Sequence, residues 1–290
     1  MGDGPGTPFP MCNATRQPDG RTMKRISFVT VVFVLIALAA PSRASELFPN
    51  SRFKLGYDGE YLFYDQPGLM HIKGFLHGGF GAWTGYFTDN HLMVGLEGSI
   101  LNGVLRYKGS TASGDSVKFN TENVFAEGRV LVGKGFDCGG IGVTPFTGFG
   151  VRNWYNRLEF SPGYSRNITH YYLPLGVNVA VRLKNDWSVG ASLEGDVLLS
   201  GSVKTELSDA IPGIENPHTH QKFGNGCGLR LGTFAEYDFG GFSFGVEPYF
   251  RYWHFAKTDT DDIINAGSTV TLYEPENDFY QYGLRTYIAF

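Results

Sequence analysis

Ionisable side chains of both signs recur at alternate positions along the chain. Alternate residues of a strand face the same side of a sheet, so these charges would line one common surface. If that surface is the inside of a narrow barrel, opposed arginine and glutamate side chains should pair, because unpaired buried charges are costly. The predicted lumen charge network consists of Glu97, Glu127, Arg129, Arg152, Arg182, Glu194, Asp196, Arg230, Glu236, Glu247, Arg251 and Arg285.

The same face is expected to carry four further charges: Lys54, Asp58, Glu60 and Lys73. Within the network, Arg285 is expected to pair with Glu247 or Glu60. The pattern favours a structural network of ion pairs that fills the lumen. The alternative is a small, gated pore whose charges select solutes.

Enzymatic chemistry would need acid and base groups that converge at one end of the molecule. Asp259, Asp261 and Asp262 lie in one polar segment, and His218 and His220 lie in another, from which such groups could converge on a water molecule. We interpret them as solvated loop residues, and no GxSxG motif or comparable nucleophile elbow is present. The aspartates could instead bind a hard divalent cation, or bridge lipopolysaccharide through one, but they lack EF-hand spacing. The sequence therefore predicts no catalytic residue, no metal ligand and no cofactor.

The cysteines are Cys12, Cys138 and Cys227, and they form neither a CxxC pair nor a Cys/His spacing typical of zinc sites. Cys138 is predicted in a turn at one end of the molecule and Cys227 near the opposite end of a strand. A disulfide requires Cα atoms within about 7 Å. Cys138 and Cys227 are therefore predicted to be unpaired thiols.

The composition differs from that of a soluble domain. Charged residues make up 18% of the chain, aromatic residues make up 15%, and 40 residues are glycine; soluble domains carry about 25% charged residues. Glycine allows bends and close packing of strands, and aromatic residues concentrate at membrane interfaces. The net charge of −4 provides no basic surface for nucleic acid.

The first part of the chain predicts export. Residues 1–22 are interpreted as disordered or as a misassigned start, and 23–44 as a secretory signal peptide. Met23–Arg25 supplies the positive charge, Ile26–Ala40 is apolar, and cleavage is expected after Ala44. The apolar run is shorter than the roughly twenty residues of a spanning helix. The mature protein is therefore expected to be one domain, 45–290.

After Ala44, apolar and polar residues alternate with a period of two, which predicts successive β-strands. The predicted strands are about Phe53–Tyr64, Met70–Phe87, His91–Tyr107, Lys118–Phe136, Ile141–Arg157, Tyr171–Leu183, Trp187–Leu199, Gly226–Phe239, Phe242–Ala256 and Tyr280–Phe290. Short turns alternate with longer polar loops, of which Thr205–Asn225 and Lys257–Asp278 are the longest. We predict an all-β, closed, antiparallel up-and-down transmembrane barrel of about ten strands, with eight or twelve as alternatives.

A secreted β-sandwich or a lipocalin-like barrel would alternate in a similar way, but it would turn its apolar face inward. Bulky apolar residues on every predicted strand, opposite a mixed polar face, favour the membrane barrel. The four tryptophans are expected in the aromatic girdles at the membrane interfaces, with Trp187 best placed: Trp83, Trp154, Trp187 and Trp253.

The last predicted strand carries Tyr280, Tyr282, Leu284 and Phe290 on its apolar face. Together with the signal peptide and the alternating strands, it resembles the closing strand of bacterial outer-membrane β-barrel proteins, a resemblance that covers residues 45–290. The resemblance implies location in the cell outer membrane and recognition of these four residues by the barrel-assembly machinery. We further expect a monomer that contacts outer-membrane lipids and lipopolysaccharide.

For function, we interpret the chain as a structural or surface-interaction protein with a largely occluded, charge-paired lumen. One alternative is a narrow pore for small solutes or ions. Another is an outer-membrane enzyme, either an omptin-like protease or a lipid-modifying enzyme. Omptin proteases are also ten-stranded barrels, but their paired acids and Asp–His pair are not recognisable as motifs in this sequence.

Overall fold

The computed structural model describes residues 48–87, 91–110, 116–159, 163–183, 185–265 and 267–290. The predicted signal peptide, 23–44, and the segment 1–22 lie outside this part of the chain. The strands within it are β1 (Arg52–Gln66), β2 (Met70–Phe87), β3 (Leu92–Ser110), β4 (Ser116–Lys134), β5 (Phe136–Asp137), β6 (Ile141–Leu158), β7 (Ser165–Arg182), β8 (Trp187–Thr205), β9 (His218–Gln221), β10 (Gly226–Asp238), β11 (Ser243–Phe255), β12 (Asp261–Asn265), β13 (Ser268–Leu272) and β14 (Asn277–Ala289).

The long strands close into one antiparallel barrel of 10 strands, which confirms the predicted fold. The order around the barrel is β1, β2, β3, β4, β6, β7, β8, β10, β11 and β14. The last of these strands pairs with β11 on one side and with β1 on the other, so no edge remains between them. Asp58 of β1 lies directly opposite Arg285 of β14 at this closure.

Several elements extend beyond their predicted limits. β7 begins at Ser165 and β8 continues to Thr205, so both project past the apolar runs that identified them. The predicted loop Thr205–Asn225 contains a short 3-10 helix and β9, which pairs with β8. The predicted loop Lys257–Asp278 contains the β12–β13 hairpin. These pieces lie outside the apolar band. Neither of their faces meets lipid, so their sequences lack the apolar–polar alternation that identifies a strand. No helix among the described residues is long and apolar enough to cross a membrane.

The barrel exposes its apolar face and buries its polar one. On β14, Tyr282 and Leu284 are 55% and 47% exposed, whereas Gln281 and Tyr287 are 3% and 1% exposed. Large exposed apolar side chains recur on the outward face of every long strand. An outward apolar band around a polar, filled interior is the arrangement of a barrel in a membrane.

The two ends of the barrel differ in their connections. Short connections such as Phe87–Leu92, Arg182–Trp187 and Asp238–Ser243 lie at one end. The segments between β8 and β10 and between β11 and β14 are long and lie at the other end. Because outer-membrane barrels have short periplasmic turns and long extracellular loops, the first end is the periplasmic end and the second is the outer end.

Glycines permit the closest contacts between neighbouring strands, and Gly78 of β2 provides a test. A Cβ atom at this position would collide with the backbone carbonyl oxygen of Ile100. A Cβ atom at Gly98 of β3 would instead lie 3.7 Å from its nearest neighbour, the backbone carbonyl oxygen of Glu127. We expect Gly78→Ala to lower the free energy of unfolding by about 1–3 kcal/mol, because backbone atoms must shift. Gly98→Ala should change it by less than about 0.5 kcal/mol. Urea unfolding in phospholipid vesicles measures both, and equal effects would contradict this explanation.

Candidate functional site: the layered lumen

Arg230 is the centre of the ion pairs inside the barrel. It lies on β10 directly opposite Glu194 of β8, and its Nε is 2.7 Å from Asp196 Oδ2 and 3.1 Å from Glu194 Oε1. Across the lumen, its Nη1 donates to Glu127 Oε2 of β4 at 3.0 Å, and its Nη2 donates to the Tyr172 hydroxyl of β7 at 2.9 Å. One guanidinium therefore ties four strands together through its inward side chain.

Arg129 extends this group along the wall. Its Nη1 donates to Glu194 at 2.6 Å, and its Nε donates at 3.0 Å to Glu97, its direct neighbour on β3. Glu194 therefore bridges Arg129 and Arg230. Both arginines have side chains about one-tenth exposed, and Glu194 is 4% exposed. The ion pairs with Glu194 therefore form away from bulk water, where they are screened little.

A second group lies on β1, β11 and β14. Arg285 Nε donates to Asp58 at 2.9 Å, and its Nη1 donates to Glu247 at 3.4 Å. The Tyr249 hydroxyl lies 2.6 Å from Asp58 Oδ1 and 3.0 Å from Glu60 Oε2. Of the two partners predicted for Arg285, the structure therefore places Glu247 beside it and gives Glu60 other neighbours.

Arg251 joins the two groups. Its Nη1 lies 3.3 Å from Glu127 and 4.0 Å from Glu60. Glu127 also forms an ion pair with Arg230. Gln281 Nε2 also donates to Glu60. The paired charges therefore run without interruption from one wall of the lumen to the opposite wall.

Two predicted members of the network lie nearer the periplasmic end, and one further charge that was expected on the same face lies outside the lumen. Arg182, the last residue of β7, is at the periplasmic rim, where it lies 3.6 Å from Asp186 and 3.7 Å from Asp238. It is therefore part of an ion-pair group at the rim and not of the ion pairs around Arg230. Glu236 pairs with Arg52 near the same end. Lys73, expected inside, is exposed on the outward face of β2.

Arg152 occupies an aromatic environment rather than an ion pair. Its guanidinium carbon lies 4.6 Å from the centre of the Phe279 ring, 5.1 Å from Phe125 and 5.8 Å from Trp253. Its Nη2 is buried without a hydrogen-bond partner among the described residues. Arg152 thus forms the boundary between the charged layer and the aromatic layer above it, to which cation–π attraction holds it.

An aromatic layer fills the outer half of the lumen. Trp154 stacks on Phe125 with ring centres 5.2 Å apart and meets the edges of Tyr64 and Phe279 at 4.9 and 5.3 Å. The indole nitrogen of Trp154 donates to Asn123 at 2.9 Å. The buried members of the layer are Leu62, Tyr64, Ile72, Leu76, Leu101, Leu105, Phe125, Trp154, Ile168, Tyr172, Leu198, Val203, Trp253, Phe255 and Phe279.

The predicted girdle positions of Trp154 and Trp253 were therefore wrong. They are 1% and 0% exposed inside the barrel. Trp154 lies two residues after Arg152, and Trp253 lies two residues after Arg251. Alternate residues of a strand face the same side, so both tryptophans share the lumen face with these inward arginines. Trp187 is 44% exposed at the periplasmic end of β8, which is a girdle position.

Two of the aspartates considered for catalysis join the two long outer connections through the backbone of the two histidines. Asp261 Oδ2 accepts a hydrogen bond from the backbone N–H of His218 at 2.7 Å, and Asp259 Oδ1 accepts one from the N–H of His220 at 2.5 Å. The two long connections are joined in this way into a cap, which we define as residues 206–225, 256–265 and 267–276. Two carboxylates thus satisfy backbone donors of β9.

Glu274 attaches the cap to the barrel wall, and no sequence motif marks it. Its Oε1 accepts hydrogen bonds from Arg166 at 3.0 Å, from Tyr64 at 2.9 Å and from Gln66 at 2.7 Å. Arg166 lies at the outer start of β7, beyond the apolar band. Burial lowers the pKa of Arg166, but the Glu274 carboxylate and Tyr64 outweigh burial, and the pKa is raised above its ordinary value.

Removal of the Glu274 charge should loosen the cap. We expect Glu274→Gln to accelerate trypsin cleavage after Lys257, which is exposed in the cap, by about tenfold. A hydrogen bond to a charged group contributes about 1.5–3 kcal/mol, and cleavage follows the open fraction of the loop. Glu276→Gln is the matched control, because Glu276 is exposed two residues further on. Equal cleavage rates for the two variants would show that Glu274 does not hold the cap.

The remaining predicted features fall at the ends of the barrel. Cys138 lies in a periplasmic turn and Cys227 at the outer end of β10, and both are exposed free thiols. Within the part of the chain that the structure describes, no three His, Cys, Asp or Glu residues are placed to hold a metal ion. Of the proposed assembly signal, Tyr280, Tyr282 and Leu284 face outward, and Phe290 exchanges backbone hydrogen bonds with Phe53 at 2.9 and 3.0 Å.

Comparisons with known proteins identify the fold. No family model and no curated protein matches the chain. The outer membrane protease OmpT from Escherichia coli superposes with a TM-score of 0.55 at 11% identity, over 83% of this chain and 95% of OmpT. The transport unit of the autotransporter AIDA-I from Escherichia coli has a TM-score of 0.42 at 8% identity, over 88% of this chain and 95% of that one. The attachment invasion locus protein Ail of Yersinia pestis has a TM-score of 0.33 at 12% identity, over 83% and 97%.

The likeness to OmpT shows the fold alone at this identity, and the other two add no argument to it. A closed barrel with an apolar outer band and a polar interior is the architecture of bacterial outer-membrane β-barrel proteins. This chain has that fold, and its place is the outer membrane.

Proposed function

We propose that this barrel is a non-conducting outer-membrane protein with a structural or surface-interaction role. The observation that carries the proposal is the stacking of two closed layers in one lumen. Arg230, Arg129 and Arg285 each pair with carboxylates in the lower layer. Above it lies the aromatic layer around Trp154 and Trp253, in which every buried member is at most 6% exposed.

An ion crossing this lumen would meet two different barriers. In the charged layer, a permeating ion would have to displace a partner from an existing pair, which leaves a buried charge uncompensated. In the aromatic layer, it would lose its hydration without receiving hydrogen bonds. The cap adds a third obstacle at the outer end, since Glu274 holds it against Arg166 and Tyr64.

A closed lumen leaves the cap as the surface through which the protein meets its surroundings. We propose that the cap contacts lipopolysaccharide or an external partner, and that the barrel acts as a monomer. Tyr280, Tyr282, Leu284 and Phe290 are proposed as the signal for the barrel-assembly machinery. The proposal includes no enzymatic activity, and the engagement of Asp259 and Asp261 with backbone N–H groups supports this part of it.

Planar bilayer recordings on the refolded barrel test the proposal directly. Folding is first verified by the altered migration of unheated samples on SDS gels. We expect no steady unitary current at physiological salt. Stable openings would contradict the occluded lumen and favour the narrow pore. Protease and lipase assays on the same preparation should show no activity, and turnover above that of the heat-unfolded sample would favour an enzyme.

A further inference from the structure

Four cations lie together on the outer wall of the barrel, on the face of β2, β3 and β4 that turns away from the lumen. Lys73 of β2 lies directly opposite Arg106 of β3, and Lys108 of β3 lies directly opposite Lys118 of β4. All four side chains are exposed. Arg106 and Lys108 are two residues apart and share one face of their strand, so they join the two pairs into one group. We call these four residues the basic patch.

The charge of the basic patch is not compensated by the described part of the protein. Like charges that lie directly opposite each other destabilise a sheet, and the patch contains two such pairs. Within the described ranges, none of its members forms an ion pair. The acids on the neighbouring strands lie opposite other residues, since Glu122 is opposite Arg157 of β6 and Asp65 of β1 is opposite His71. An anion between the opposed cations would therefore stabilise this part of the wall.

The basic patch begins where the apolar band ends. On β3, the outward side chains of Ile100 and Val104 are exposed and apolar, and Arg106 follows Val104 by two residues. On β2, the exposed ring of Phe75 lies two residues from Lys73, on the same face. An apolar wall that passes directly into a group of cations matches an amphiphile with acyl chains and an anionic head group. A free anion would have no use for the apolar part.

The basic patch lies at the outer end of the barrel. β2 begins at Met70 and β3 ends at Ser110, and both residues are at the end opposite the short Phe87–Leu92 connection. The lipid of the outer leaflet of the outer membrane is lipopolysaccharide, whose lipid A portion carries phosphate groups, whereas phospholipids form the periplasmic leaflet. The planar guanidinium of Arg106 can donate two parallel hydrogen bonds to a phosphate, and the lysines add compact positive charges.

We propose that the basic patch binds the phosphate groups of lipopolysaccharide, and that the acyl chains of the same molecule lie along Phe75, Ile100 and Val104. A phosphate beside each opposed pair replaces a repulsion between like charges by an attraction between opposite ones. The site is on the wall of the barrel and is distinct from the cap. It does not depend on whether the lumen conducts ions, so it can fail or succeed independently of the closed lumen.

Native mass spectrometry of the full barrel, refolded in detergent micelles, tests the site. The probe is lipid A with two phosphates, and the reference is the same lipid A with both phosphates removed. Titration of each lipid gives the fraction of barrel that retains one copy, and from it an apparent Kd. We expect the lipid A with two phosphates to bind at least tenfold more tightly than the reference, because only the phosphates meet the cations.

A pair of double variants with equal loss of charge locates the lipid. Lys108→Gln with Lys118→Gln should weaken the binding of lipid A with two phosphates about 30-fold. This ratio converts to about 2 kcal/mol, the contribution of two basic residues near an anionic lipid surface. Lys134→Gln with Lys204→Gln is the matched control and should change the Kd by less than about twofold. Lys134 is at the periplasmic end of β4, and Lys204 already pairs with Glu206 at 2.7 Å.

Four results would overturn the proposal, once altered migration of unheated samples on SDS gels has verified that each variant is folded. The first is equal affinity for lipid A with and without phosphates. The second is equal affinity of the patch variant and the control variant. The third is a loss in Lys222→Gln with Lys257→Gln, two exposed lysines of the cap, as large as that in the patch variant, which would assign the lipid to the cap. The fourth is phosphatidylglycerol bound as tightly as lipid A with two phosphates, which would overturn the choice of lipopolysaccharide.

Discussion

Replacement of Arg230 by methionine lowers the free energy of unfolding by about 3–5 kcal/mol, the usual cost of removing one partner from a buried ion pair. Glu194 and Glu127 keep Arg129 and Arg251 as neighbours. Asp196 loses its cation altogether, and its other oxygen, Oδ1, is already buried without a partner. Most of the cost should therefore come from one carboxylate.

Urea unfolding in phospholipid vesicles measures this loss, with folded protein scored by its migration in unheated gels. Lys204→Met is the matched control, because Lys204 pairs with Glu206 at 2.7 Å with a side chain that is 54% exposed. Exposed pairs contribute about 0–1 kcal/mol. Adding Asp196→Leu to Arg230→Met should restore part of the loss, since the uncompensated charge is then gone. A double variant less stable than Arg230→Met would contradict this account.

Alanine at both Trp154 and Trp253 should produce the largest change, since it removes the two largest side chains of the aromatic layer. Each truncation is expected to lower the free energy of unfolding by about 3–5 kcal/mol. Replacement of Trp154 also removes the indole N–H that donates to the side-chain oxygen of Asn123. The space left in the layer should admit water and produce intermittent ion currents where the native barrel gives none.

Trp187→Ala is the control for this experiment. Trp187 is large and aromatic too, but it is 44% exposed at the periplasmic end and contacts Tyr237 at a ring distance of 5.3 Å. We expect a loss of stability of about 1 kcal/mol or less and no current. Recordings from the refolded variants decide the matter. If the folded double variant is as silent as Trp187→Ala, the aromatic layer is not required to keep ions out of the lumen.

The period-two alternation was sufficient to predict the closed barrel, because the apolar residues of each strand show which of its faces meets lipid. It also separated inward charges such as Arg230 and Glu194 from outward apolar residues. It could not assign partners. Arg129 meets Glu194 across the lumen, and that contact depends on the stagger of all the strands between β4 and β8. No local pattern encodes such a stagger.

The cap was predicted least well. β9 and the β12–β13 hairpin lie in polar segments, and their order depends on contacts between distant parts of the chain, such as Asp261 with His218. Glu274 is one acid among many in the sequence, and only the arrangement of Arg166, Tyr64 and Gln66 around it makes it distinctive. Trp154 and Trp253 lie in the lumen for another reason, since each stands two residues from an inward arginine and therefore shares its face.

The pairing of Asp58 with Arg285 has a consequence for barrel assembly. The two residues face each other across the seam between the first and the last barrel strand, so their ion pair cannot form until the sheet has closed. A slip of two residues keeps every apolar side chain facing lipid, and the alternation alone does not penalise it. It would, however, place Arg285 opposite Gly56 or Glu60 and leave Asp58 without its direct partner. The ion pair at the seam thus acts as a check on register, favouring the correctly aligned closure over slipped ones that lipid contact cannot distinguish.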